Sequence, residues 1–253
     1  MIDLHSHVLP GIDDGAATMY GSLEMARAAV ADGIEVLAAT PHVRSDYPTD
    51  AETMERLVDE VNAGLRGEGI PLAVVRGGEL DLERLKDLDD DELRRFALAG
   101  TKHLLVEFPY QGWPLSLPET LFDLRVRGFV PVLAHPERNP EVQARPDRLQ
   151  PLVHAGTLVQ LTAASVDGRL NRASRDTAFA LLELGLAHMV ASDAHAPTIR
   201  EIGLTGARAA LGDEELAEWL TAGVPGAIVR GEPLPERPEA RKRARVRFPR
   251  TRR

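Results

Sequence analysis

Six short stretches of this 253-residue chain end alike: an apolar run stops, and a His, Asp or Glu follows at once. They are MIDLHSH, bearing Asp3, His5 and His7; VLAATPH, ending at His42; LAVVRGGEL, with Glu79; HLLVEF, with Glu107; FVPVLAHPER, with His135; and HMVASDAH, with Asp193 and His195. A carboxylate directly after a run of Val and Leu is paired, bound to a metal, or costly to bury. One such residue could be a structural ion pair, but six strand ends repeating the pattern point to a site built for cations. His5 and His7 are two apart and share one face of a strand. Asp193 and His195 repeat that spacing. A His-x-His alone carries little weight, because surface and core histidines are often so spaced. Asp3 lies on the same face, where a carboxylate can fix the tautomer of an imidazole. A His/Asp/Glu set without Cys fits Mn²⁺, Fe²⁺ or Zn²⁺, and so many ligands predict several ions.

Ligands delivered at the carboxyl ends of strands need a parallel sheet to hold them. Apolar runs at about 1–5, 34–40, 72–78, 102–107, 130–134, 157–161 and 187–192 read as strands. Helical patterns at about 18–32, 50–66, 118–127, 147–155, 171–185, 198–211 and 213–221 separate or follow them. The first has Thr18 as its N-cap and Gly33 as its stop. This alternation predicts an α/β fold, a distorted (β/α)7 TIM-like barrel with its metal site at the C-terminal ends of the strands. Loops 8–17 and 41–49 are long, rich in Gly, Pro and Asp, and follow ligand-bearing strands, where active-site loops belong. Residues 1–230 read as one barrel domain, and residues 231–253 as a basic Pro/Arg-rich flexible tail.

Composition sets the class. Hydrophobic residues are 43% and charged residues 27%, as expected of a globular chain. There is no cysteine, which excludes disulfides and thiolate catalysis. No apolar run approaches the ~18 residues of a membrane helix, and MIDLHSH lacks the basic and apolar regions of a signal peptide, so a cytoplasmic location is expected. Net charge is −9 but uneven: residues 237–253 carry +8 and residues 1–236 carry −17. An acidic body repels nucleic-acid phosphates, so no nucleic acid is expected on the barrel. The tail suits an anionic membrane surface or an acidic partner. GIDDG is not a nucleotide loop, because no GK[ST] follows it.

The motifs DLHSH, GIDDGA, ATPH, GGEL, VEFP, HPER and SDAH, in this order, resemble the PHP superfamily of metal phosphoesterases. MIDLHSHVLPGIDDGA is especially similar to the bacterial manganese-dependent protein-tyrosine phosphatases of capsular and exopolysaccharide operons, the CpsB/YwqE type. The resemblance covers residues 1 to about 230. It implies the PHP fold with three divalent ions, manganese first, with iron or zinc as alternatives. One ion would be held by His5, His7, Glu79 and Asp193. A second would be held by Glu79, Glu107 and His135, and a third by Asp14, His42 and His195. Asp14 also counts among the catalytic residues, with Arg138 and Arg200. These arginines stand three residues after His135 and five after His195, matching the phosphate-binding arginines of the resemblance. Pro197 and Ile199 replace the more polar residues usual before Arg200.

The implied activity is dephosphorylation of phosphotyrosine in proteins, linked to control of capsule or exopolysaccharide synthesis, with a membrane-associated bacterial tyrosine kinase as candidate partner. The alternatives are a small-molecule phosphatase of the histidinol-phosphate type and, from the Arg-rich tail, a nucleic-acid-binding or nuclease module. Phe108, Pro109, Tyr110 and Trp113 read equally as an aromatic rim for a phenyl ring or as a loop anchored in the core. Asp13 reads as a loop-shaping residue, and His103, His154 and His188 fall outside the ligand pattern.

Overall fold

Val, Leu and Ala fill the strand runs on successive positions, as a parallel stave covered by helices requires. The computed structural model describes residues 1–195 and 201–239. Its strands are β1 (Ile2–Ser6), β2 (Val36–Ala39), β3 (His42–Arg44), β4 (Tyr47–Pro48), β5 (Ala73–Arg76), β6 (Glu79–Leu80), β7 (His103–Glu107), β8 (Val130–Ala134), β9 (Leu158–Thr162) and β10 (Met189–Ala191). β1, β2 and β5 pair side by side, and β3, β6, β7, β8, β9 and β10 follow one another around the rest of the wall, all in parallel. The wall closes where Ser6 bridges Ala194 and the His7 amide donates to the Ala194 carbonyl at 2.8 Å.

β2 and β3 are two halves of one stave, and so are β5 and β6. Seven staves therefore make the barrel, and two of them are broken. The first break falls at Pro41, which has no N–H to give to a ladder. The second falls at Gly77 and Gly78, where the backbone runs against Phe96; a Cβ on Gly78 would lie 2.7 Å from the Phe96 ring. β4 adds a short antiparallel strand to β3.

The outer helices follow the sequence pattern closely. Thr18 caps Met19–Ala31, Asp50 caps Ala51–Gly67, and Asn171 caps Arg172–Glu183, each through its side chain. Leu117–Val126 and Gln150–His154 stand near their expected places. The helix expected at 198–211 is Thr205–Leu211; residues 198–200 lie outside the described residues, and 201–204 are not helical because Asp32 accepts the amides of Leu204 and Thr205 and fixes the start there. The helix Asp90–Phe96 was not expected from the sequence. Its signal was the capping box formed by Asp89 and Glu92. A further helix, Val224–Arg230, seals the amino end of the barrel against β1. Residues 231–239 beyond it have no regular structure, yet Trp219 donates to the Pro235 carbonyl at 3.0 Å and Arg237 donates to the Leu182 carbonyl at 2.7 Å. Residues 240–253 lie outside the described residues.

The break in the third stave should be sensitive to volume. Gly78→Ala is expected to destabilise the fold by about 1–3 kcal/mol in urea unfolding, because backbone and Phe96 compete for one space. Adding Phe96→Leu should recover part of that loss; strict additivity of the two changes would show that they do not share the contact.

Candidate metal centre

The ligand-type residues converge at the carboxyl ends of the staves. His5 lies next to last in β1 with His7 just beyond the strand, and their Nε2 atoms lie 3.3 Å apart. His5 Nε2 is 3.4 Å from both Glu79 Oε2 and Asp193 Oδ1, and His7 Nε2 is 3.5 Å from the same two atoms. The two oxygens of Glu79 are shared further: Oε1 is 2.8 Å from His135 Nε2, and Oε2 is 2.9 Å from His42 Nδ1. Asp14 Oδ1 lies 3.4 Å from His42 Nε2 and 3.3 Å from His195 Nε2. Glu107 approaches from β7, 3.9 Å from His42 Nδ1. Asp14 stands at the mouth with its side chain 39% exposed, while the other eight are buried.

All nine expected ligands fall into four overlapping groups: His7, Asp14, His42 and His195; His5, His7 and Asp193; His5, Glu79 and His135; and His42, Glu79 and Glu107. Within each, one donor atom per residue lies within 4.8 Å of the others. Glu107 clusters with His42, and His135 with His5, so the grouping is more interleaved than three separate ligand sets. Two ligands sit on strained backbone: His135 has φ 40° and Asp193 φ 52°, both left-handed. A left-handed turn directly after a strand swings the side chain back over the barrel mouth, and such strain persists where the surroundings over-determine it.

The donor set fits cations. Glu79 Oε2 and His42 Nδ1 are buried and close, yet neither has a well-directed hydrogen bond. Converging donor atoms of this kind suit a shared positive ion rather than each other. The electrostatics agree. Burial opposes ionisation of Glu79 and Asp193, but the His5 charge and neighbouring histidine contacts outweigh it and hold both carboxyls well below the usual range. Burial likewise opposes charging His5, yet Glu79 and Asp193 raise it. At Glu107 the balance reverses: burial, then the Glu79 charge, pushes its carboxyl up to about 7.

Other side chains set how the ligands point. Asp13 Oδ2 accepts from His7 Nδ1 at 2.7 Å and from the His42 amide at 3.0 Å, so one carboxylate aims two ligands. Its Oδ1 accepts the Gly15 amide at 3.0 Å. Gly15 is obligatory there, since a Cβ would fall 2.0 Å from the His7 carbonyl oxygen. Gln160, on the one stave without a ligand, places Oε1 3.0 Å from His5 Nδ1. Asp3 does not hold an imidazole as its position on the strand face suggests. It accepts the backbone amides of His5 at 3.2 Å and Ser192 at 3.0 Å, and so ties β1 to the chain leaving β10.

Arg138 follows His135 on a short turn and donates to Asp193 Oδ2 at 2.6 Å, with its side chain only 13% exposed. Arg200 lies outside the described residues. Of the aromatic stretch, Phe108 is core, and Trp113 packs edge-on against it, 5.7 Å between centroids. Tyr110 alone turns to the site.

These features agree with what is known of similar chains. The family model for capsular polysaccharide synthesis, CpsB/CapC, matches residues 1–220. The chain belongs to the CpsB/CapC family. Tyrosine-protein phosphatase YwqE of Bacillus subtilis (strain 168) is 39% identical over 196 residues, which are 77% of this chain and 77% of that protein. The putative tyrosine-protein phosphatase CapC of Staphylococcus aureus is 29% identical over 203 residues, covering 79% of each. A solved structure from work on YwqE and Streptococcus pneumoniae CpsB, described as unique metal-dependent tyrosine phosphatases, superposes with a TM-score of 0.82 at 34% identity, covering 95% of this chain and 100% of that one.

Within this CpsB/CapC chain, sequence reading missed three contributors to the site. Asp13 was visible beside Asp14, but nothing in GIDDGA says which of the two faces His7. Gln160 sits inside LVQLT, where the one polar residue in a buried strand was the available signal. Arg44, in β3, reaches Glu107 Oε1 at 3.2 Å, and no spacing rule singles it out. Asp13→Ala should lower divalent-metal affinity about 10- to 100-fold while leaving the circular dichroism spectrum unchanged. Isothermal titration with Mn²⁺ reads this; unaltered affinity would make Asp13 a loop residue only.

Proposed function

We propose that this chain is a metal-dependent phosphomonoesterase acting on phosphotyrosine in proteins. The observation that carries the reading is Arg138: a part-buried guanidinium fixed beside a cluster of nine metal-type ligands. That pairing suits a ligand with several negative oxygens, one edge bound by planar hydrogen bonds and another facing cations. The tyrosine-protein phosphatases named above, which resemble the chain along most of its length, support the same substrate class.

His5, His7, Glu79 and Asp193 would hold one divalent ion, Glu79, Glu107 and His135 a second, and Asp14, His42 and His195 a third, with manganese first among the candidates. When bound, such ions supply an activated water and neutralise phosphate oxygens. The chain's own residues do the rest. Arg138 binds and orients the phosphate and stabilises the charge that spreads over its oxygens in the transition state. Arg200 is proposed as a second phosphate contact. Asp14, the most exposed ligand, faces the entering substrate. Asp13 and Gln160 keep the imidazoles of His7 and His5 aimed inward.

The physiological setting proposed is cytoplasmic, with capsule or exopolysaccharide synthesis as the process and a membrane-associated bacterial tyrosine kinase as the substrate protein. No helix among the described residues is long and apolar enough to cross a membrane. The basic tail is proposed to meet anionic lipid at the kinase's membrane. Arg237 is engaged by the backbone carbonyls of Ala187 and Leu182 and is not part of that proposal.

Two outcomes are expected. Arg138→Ala should lower kcat/KM on a phosphotyrosine peptide about 100-fold or more with metal content unchanged, whereas His5→Ala should lose metal and activity together. Wild-type turnover that survives exhaustive chelation, or that is faster on histidinol phosphate than on the peptide, would refute the reading. For the tail, deleting residues 240–253 should leave peptide turnover intact and abolish salt-sensitive co-sedimentation with phosphatidylglycerol vesicles. Equal sedimentation of both forms at low salt would remove the membrane role.

A further inference from the structure

Two tyrosines lie against the centre in the same way. Tyr110, in the loop after β7, stacks on the ligand His135 with 5.8 Å between ring centroids and planes 12° apart. Tyr47, in β4, stacks on the ligand His42 at 5.7 Å and 19°. Each ring also carries an arginine: the Arg138 guanidinium carbon is 4.8 Å from the Tyr110 centroid, and that of Arg44 is 5.2 Å from the Tyr47 centroid. His135 and His42 hold the two opposite oxygens of Glu79. His42 opens β3 and His135 follows β8, and β7 and β6 separate these strands in the wall. The two tyrosine–arginine pairs therefore lie on either side of Glu79.

Both rings are held where they stand. Asn139 donates to the carbonyls of Pro109 at 2.6 Å and Gly112 at 2.9 Å, pinning the loop on either side of Tyr110. Tyr47 is fixed by pairing with Arg44 in the β3–β4 ladder, and Arg44 in turn reaches Asp46 at 2.8 Å and Glu107 at 3.2 Å. Tyr110 remains 41% exposed. A large, rigid, part-exposed aromatic beside a charged centre is not there to fill the core.

We propose that Tyr47 and Tyr110 are the walls of a slot for the aromatic ring of an aryl phosphate, and that they set the preference for phosphotyrosine over alkyl phosphate esters. This rests on the phosphotyrosine reading above. The ring of phosphotyrosine begins one ester oxygen from its phosphorus, so a ring clamp must stand directly over the ligand shell. Stacking on two ligand imidazoles places both tyrosines at that height. Phosphoserine puts a single methylene there and its peptide backbone soon after, gaining no ring contact. Arg44 acts as a positioning residue for Tyr47, as Arg138 does for Tyr110 besides its phosphate contact.

The test compares matched phosphotyrosine and phosphoserine peptides with the manganese-loaded full-length protein. Tyr110→Ala and Tyr47→Ala should each lower the phosphotyrosine-to-phosphoserine ratio of kcat/KM about 2- to 10-fold, the worth of one aromatic pair, with the loss carried in KM. The double variant should approach the product of the two effects. Tyr→Phe at either position should restore the ratio, because the ring and not the hydroxyl is invoked; bound manganese should stay at the wild-type stoichiometry. A ratio unchanged by both alanines in an enzyme active on phosphotyrosine overturns the slot alone. A wild-type protein idle on phosphotyrosine overturns the phosphatase reading and the slot with it.

Discussion

Both oxygens of Glu79 are in use, and the barrel is deformed so that they can be. Oε1 meets His135 just after β8 and Oε2 meets His42 from β3, with His5 of β1 and His7 just beyond it within 3.5 Å of Oε2. His42 and Glu79 are direct register partners between β3 and β6. Those two short strands exist only because Pro41 and the Gly77–Gly78 pair break the staves that precede them. Unbroken staves would carry the regular pleat onward and could not bring a carboxylate and an imidazole face to face at the axis. The distortion of the barrel is thus the cost of a centre in which four carboxylates and five imidazoles share one small volume.

That volume is stable only with balanced charge. An ionised carboxylate in an apolar setting demands a partner, and here the partners are the histidines. The neighbouring carboxylates raise His5 and His7 despite their burial, and burial with the Glu79 charge pushes the Glu107 carboxyl up to about 7 even with Arg44 at 3.2 Å. Divalent cations do the same work with more charge and fewer constraints, since each accepts several donors at once. Asp13, Gln160 and Asp3 then have complementary tasks. Asp13 and Gln160 occupy the ring nitrogens that face outward, which leaves the inward ones as donors to a cation. Asp3 works on the backbone instead, fastening the first stave to the last where the barrel closes.

The legible part of this design was local. His5 and His7 could be read because the two-residue period of a strand puts both on one side, and Asp193 and His195 because they repeat it. The seven-stave barrel followed from apolar runs alternating with helical ones, the first of which showed its cap, Thr18, as side-chain chemistry close in sequence. What stayed hidden depends on distant packing. Gln160 matters only because β9 lies within reach of His5, 155 residues away along the chain. Asp3 shares a face with His5 but spends its Oδ1 on two amides, a choice set by where β10 ends. Tyr47 lies in a two-residue strand whose partner is itself a fragment, and no periodicity extends over so short a piece. The acidic run before Phe96 hid a helix because its charges lie on the solvent side and only Leu93 and Phe96 are buried.

The charge distribution poses a separate problem that the site geometry answers. A body of −17 repels a phosphorylated protein as a whole, but ionic screening at physiological strength confines that repulsion to about 8 Å. Inside that distance the substrate meets a different field. Arg138 and Arg44 stand at the mouth, and four of the body's negative charges belong to ligands that bound cations would neutralise. The acidic surface elsewhere discourages polyanions that offer many phosphates over a wide face, while a single phosphate on a protruding side chain reaches the arginines without approaching the rest. Access for a phosphorylated side chain therefore depends on two arginines at the mouth of an otherwise acidic barrel.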